Sequence, residues 1–216
     1  MARERDEELA GLAAPLREQL AAINAAREVA LPACRRAIRA SSRAIRHVHR
    51  EQFDDARALI VEAREAIGEA QRAVAPHPMI AFAGFLHDAE KEYAEAEITL
   101  ALVSDDAMPA AEGLGVQPQA WLNGLAEAAS ELRRHALDRL RAGDLSRAEE
   151  LLVAMDDVYD LLVTIDEPDA VTGGLRRTTD ALRAVLERTR ADITLTTVQA
   201  RLQRAIEGAD PAGGSG

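Results

Sequence analysis

The chain has 216 residues, a formal net charge of −11, 3% aromatic residues and a single cysteine, Cys34. One cysteine excludes an internal disulfide framework and a cysteine zinc site, and suits a reducing compartment. No run of 18 apolar residues and no apolar segment behind Met1 are present, so the expectation is a cytoplasmic protein with no membrane partner. Alanine, leucine and arginine dominate and strand-period runs of β-branched residues are missing, which predicts an all-α fold.

From about Pro15 to His49 the apolar positions Leu16, Leu20, Ile23, Ile38, Ile45 and Val48 predict one long helix, bent at Pro32. A second spans Phe53 to Val74 and ends at Pro76-His77-Pro78. A third is expected from Met79 to Val103, then a short turn over 109–112 and a loop at Gly113-Leu114-Gly115. Pro118 opens a helix that Gly143 stops, and Asp144 caps the next, over 145–165. The last runs from near Gly174 to Ile206. The expectation is an antiparallel helical bundle of six long helices plus one short, forming a single domain over 1–209 with a disordered tail at 210–216.

Between Arg35 and Arg50 lie six arginines, two histidines and no acid, in a chain that is otherwise strongly acidic. Arg36, Arg39, Arg43, Arg46 and Arg50 recur at steps of three and four and share a helical face, where like charges repel unless an anion lies along them. A phosphate backbone fits, with His49 as a further phosphate contact. An exposed face, or one paired with acids of a neighbouring subunit, fits the spacing as well.

Glu92 and Glu95 stand three apart on the third helix, and Asp160 sits beside Tyr159 in an apolar stretch of the helix over 145–165. If those helices pack together, the three carboxylates form an oxygen-only cluster suited to Mg²⁺ or Mn²⁺. On spacing alone, paired acids on alanine-rich helices are more often solvated surface than a site. Other chemistries lack their residues: there is no pair of Glu-x-x-His motifs for a di-iron bundle, no glycine-rich loop followed by lysine, and no nucleophile elbow.

The segment Ala120-Trp-Leu-Asn-Gly-Leu-Ala-Glu-Ala-Ala-Ser-Glu-Leu-Arg-Arg134, with the following Ala142-Gly-Asp-Leu-Ser-Arg147, resembles the translin superfamily. The basic run Arg39 to Arg50 is similar to that family's first helix. Lys91-Glu-Tyr-Ala-Glu-Ala96 and Val158-Tyr-Asp160 resemble the acidic motifs of its catalytic branch, that of translin-associated factor X. The resemblance implies a closed, hollow homo-oligomer, usually an octamer, with RNA held on its inner wall. It further implies Mg²⁺ or Mn²⁺ at Glu92, Glu95 and Asp160 for endoribonuclease cleavage of single-stranded RNA, and a grip on the strand by the arginines. A non-catalytic shell binding RNA or single-stranded DNA, and a helical metal-binding regulatory scaffold, are the rival readings.

Overall fold

In a computed structural model, residues 2–81 and 83–209 are described; the tail expected at 210–216 lies outside the described residues. Among the described residues there are nine helices and no strand: α1 Ala2–Val48, α2 Phe53–Val74, α3 Pro78–Ala81, α4 Phe85–Ser104, α5 Ala111–Leu114, α6 Pro118–Arg141, α7 Leu145–Leu162, α8 Asp169–Thr172 and α9 Leu175–Ala209. The six long helices follow the periodicity of the sequence, and three short ones fill the connections.

The terminators act as their chemistry demands. Gly143 takes a left-handed φ of 79° after α6, and the Asp144 side chain then accepts from the Arg147 amide at 3.1 Å to start α7. Some boundaries differ from expectation: the short turn expected over 109–112 is α5 at Ala111–Leu114, which takes in part of the expected loop, and α7 ends at Leu162 instead of 165. The third helix is broken at Gly84, whose φ of 85° strains any residue with a side chain, so α3 and α4 are separate. Helix α1 begins at Ala2 and contains both Pro15 and Pro32, because the Arg, Glu, Leu and Ala residues ahead of Pro15 are strong helix formers.

Helices α1, α2 and α4 pack as one group and α6, α7 and α9 as another, with α4 against α6 joining them. Helix α4 is enclosed on nearly every side, so Leu86, Tyr93, Ile98 and Leu100 share the interior with the carboxylates of Glu90 and Glu95. The hairpins α1/α2 and α6/α7 are antiparallel, as their short turns require. Across the groups the sense is the same. Glu90, near the start of α4, accepts from the Gln117 amide at the start of α6 (3.1 Å), whereas Asp105, just past α4, meets Arg147 in the first turn of α7, beside the end of α6 (2.9 Å). Helix α9 runs with α6 as well, through Thr178 to Asn123 (2.7 Å) and Arg133 to Asp192 (2.8 Å). The crossover over 105–117, long enough to return along the bundle, makes this parallel contact possible.

Candidate metal centre and nucleic-acid interface

Where α6 crosses α4, Gly124 has no side chain, and a Cβ there would lie 2.8 Å from the Lys91 carbonyl oxygen, 2.9 Å from Ala94 Cβ and 3.0 Å from the Glu95 nitrogen. The helices therefore touch backbone to backbone. Three residues further along α6, Glu127 projects from the same face and joins Glu92 and Glu95, which stand one turn apart on α4. One carboxylate oxygen from each of the three lies within 4.8 Å of the others. The ammonium of Lys91, the only lysine, sits among them, 2.5 Å from Glu127 and 3.5 Å from Glu92.

Crowded charge governs how these groups hold protons. Burial, then the charges of Glu127, Glu92 and Glu131, push the Glu95 carboxyl up to about 9. Glu92 is raised by burial and by Glu127 against the opposing pull of Lys91. For Lys91, burial favours the neutral amine, but the hydrogen bond and charge of Glu127 outweigh it and hold the ammonium above its ordinary value.

The basic end of α1 approaches this cluster. Arg39, Arg43, Arg46 and Arg50 are exposed and form no ion pair within the described residues; Arg46 donates only to Ser42 Oγ at 2.9 Å. Between Arg46 and Arg50, His49 turns inward with 3% of its side chain exposed and meets Glu131 at 2.7 Å, one helical turn from Glu127 on α6. Arg134, three residues beyond Glu131, is exposed and has no acid partner among the described residues. A row of unpaired guanidiniums thus ends beside a cluster of carboxylates, an arrangement that can hold a phosphate backbone next to a divalent cation.

No family model matches the chain. An uncharacterized protein of Methanocaldococcus jannaschii is 31% identical over 113 residues, which covers 52% of this chain and 50% of that protein, so the match spans about half the length of the relative. Among solved structures, AfC3PO in complex with duplex RNA superposes with a TM-score of 0.80 at 34% identity, covering 87% of this chain and 97% of that one. AfC3PO by itself gives 0.79 over the same shares. The chain belongs to the translin superfamily. Apo-NeC3PO, at 20% identity and a TM-score of 0.76 over 84% and 95% of the two chains, shares the fold.

For this translin-superfamily chain the residues singled out from sequence fall into two sets. Glu92 and Glu95 come together, and Arg39, Arg43, Arg46 and Arg50 form one exposed row. Asp160 does not join the acids. The chain reverses at Gly143, so α7 packs on α6 and α9 instead of α4, and Asp160 is exposed in a cleft with Asp156, Arg183, Glu187 and Arg190. Arg36 leaves the free row to pair with Glu69 of α2, and His49 faces Glu131 instead of solvent. Glu127 carries no spacing signal of its own, although it lies inside the segment most similar to the translin superfamily, three residues after the glycine that brings α6 onto α4.

Proposed function

We propose that the chain is a metal-dependent endoribonuclease that acts on RNA enclosed by several copies of itself, in a closed shell of eight, with Glu92, Glu95 and Glu127 as the ligands of Mg²⁺ or Mn²⁺. The observation that carries this reading is the convergence of three carboxylates from two helices beside an unpaired arginine row. The donor set fits the ion: it is all oxygen, and Glu95 keeps its proton well above the carboxylate range because it is buried among anionic neighbours, a repulsion that a dication relieves.

A divalent cation at these acids would supply a water of lowered pKa and neutralise charge on the scissile phosphate. The protein's own residues do the rest. Arg39, Arg43, Arg46 and Arg50 hold the backbone of the strand without reading its bases, and scarce aromatics leave little base stacking. Glu95 releases its proton as the site fills. Lys91, 2.5 Å from Glu127 and 3.5 Å from Glu92, offsets part of the acids' charge. His49 fixes Glu131 and so the end of the arginine row relative to the acids. AfC3PO has been solved with duplex RNA, which supports RNA as the ligand and adds duplexes to the single strands expected from sequence.

A second reading, a non-catalytic RNA-binding shell, draws on Lys91: its ammonium already neutralises Glu127 and Glu92, so the acids have a resident cation without metal. One experiment separates the two. Labelled single-stranded and duplex RNA are incubated with the protein in Mg²⁺, Mn²⁺ or chelator, alongside Glu95→Gln and Glu127→Gln. Cleavage should vanish in chelator and fall about 100-fold or more in either variant. Cleavage that survives chelation removes the metal centre from the mechanism, and tight binding without cleavage in either metal selects the shell.

A further inference from the structure

The connection from α7 to α9 folds back on itself and leaves a cleft of about 540 Å³, within the roughly 300–1,000 Å³ of small-molecule sites. The local sequence shapes it. Pro168 is extended, with φ −59° and ψ 148°, and Gly173 and Gly174 take left-handed φ values of 63° and 84° to feed the chain into α9. Leu162 of α7 and Leu175 of α9 are buried in the floor, Tyr159 and Ile165 are half-buried, and Asp166, Glu167, Asp169 and Asp180 stand exposed at the rim. These four carboxylates form no ion pair among the described residues, and neither does Arg176, the cation of the lining.

Thr179, in the floor of the cleft, is 8% exposed, and its hydroxyl has no hydrogen-bond partner. On the same helix Thr178, Thr189, Thr194, Thr196 and Thr197 all donate to the carbonyl four residues back. Thr179 alone among the described threonines of α9 leaves that bond unmade. A buried hydroxyl without a partner costs stability unless something that enters the cleft meets it. The Tyr159 hydroxyl, also in the lining, has no partner among the described residues either.

An uncompensated acidic rim selects a cation. It does not select a single metal ion: among the described residues Glu92, Glu95 and Glu127 bring carboxylate oxygens within 4.8 Å of one another, and no three acids of the cleft do so. Carboxylates set apart on α9 and on the facing connection, over an apolar floor, fit positive charges joined by methylenes, which cover apolar surface while their charged ends stay at the rim. We propose that the cleft binds a linear aliphatic polyamine. One ammonium donates to Asp180 and the Thr179 hydroxyl, a second to the carboxylates over 166–169, and the methylenes between them lie on Leu162 and Leu175. The site shares no residue with the acid cluster of α4 and α6 or with the arginine row of α1.

Titration calorimetry of the full-length chain with spermidine should give one site per chain, with affinity about tenfold or more weaker in Asp180→Asn and in Asp166→Asn/Asp169→Asn, and unchanged in Glu95→Gln. Putrescine, with one ammonium fewer, should bind more weakly, and Mg²⁺ at the same charge concentration should displace little spermidine. Thr179→Val separates a ligand contact from a packing role: without ligand it should melt no lower than the wild type, since an unpaired hydroxyl is lost, yet bind spermidine more weakly. Spermidine uptake at several equal sites, displaced equally by Mg²⁺ and indifferent to Asp180→Asn and Thr179→Val, is screening of an acidic chain and overturns the site. Absence of spermidine binding overturns it as well, and a change of oligomeric state by Asp166→Lys/Asp180→Lys in light scattering would then make the cleft a contact between copies.

Discussion

Glu95 is the residue on which the chemistry of the cluster turns, because it is buried among like charges with one cation to share. Its folded value of about 9 stands above the ordinary carboxylate value of 4.5, so between those limits the native protein keeps a proton that the unfolded chain has released. The native state binding more protons, stability falls as pH rises through that window. Metal-free protein should therefore lose melting temperature from pH 5 to pH 9, Glu95→Gln should flatten the slope, and saturating Mn²⁺ should flatten it too by taking the proton's place. A metal-free melting temperature that rises across this range would show that Glu95 ionises freely. Lys91 bounds the effect: as the one cation in contact with the cluster among the described residues, it stabilises Glu127 and Glu92 most and reaches Glu95 only through space.

At the level of the helix, one absent methyl group sets the distance between the acids. Gly124→Ala gains up to about 1 kcal/mol of helix propensity. It also places a Cβ within 3.0 Å of backbone atoms of Lys91 and Glu95, which yield only if the two helices part, at a cost of about 1–3 kcal/mol. The variant should melt lower and bind Mn²⁺ at least about tenfold more weakly, equivalent to about 1.4 kcal/mol; Gly11→Ala, with open space around its Cβ, should do neither. Unchanged metal affinity in Gly124→Ala would detach the crossing from the site. The helices themselves were legible because an amphipathic period and its terminators are local: Gly143 with Asp144, and Pro76 with Pro78, ended elements where expected. What could not be read locally was which helix lies on which. Asp160 and Glu127 are both acids on amphipathic helices, and only the reversal at Gly143 and the bare face of Gly124 decide that the second reaches α4. The extension of α1 ahead of Pro15 escaped for a different reason: proline favours a first turn, yet a chain of strong helix formers carries an exposed helix past it.

The whole molecule carries a net charge of −11 with a row of exposed arginines at one end of α1, and among the described residues no helix is long and apolar enough to cross a membrane. Binding of RNA along such a row is dominated by phosphate contacts and should weaken steeply with salt. Arg43→Glu/Arg46→Glu should lower affinity for RNA and reduce the salt slope by about one unit for each phosphate no longer neutralised. Arg36→Glu should act mainly on stability, since its guanidinium is held by Glu69. Equal drops in affinity at Arg36 and at the Arg43/Arg46 pair in filter binding would show that the pairing to α2 gives way to RNA.

Helix α1 carries two devices on a single rod of 47 residues, about 70 Å long, with leucines toward one end and guanidiniums toward the other. Each residue turns the rod by about 100°, so its length and the angular offset of the two devices are one quantity. Removing a single alanine between Asn24 and Ala30 would swing the leucine edge a quarter-turn or more around the rod while the guanidiniums stayed put, whereas removing seven residues would nearly restore the bearing. Phasing along this rod, more than the identity of any side chain in its middle, fixes the angle between the leucine edge and the guanidinium row.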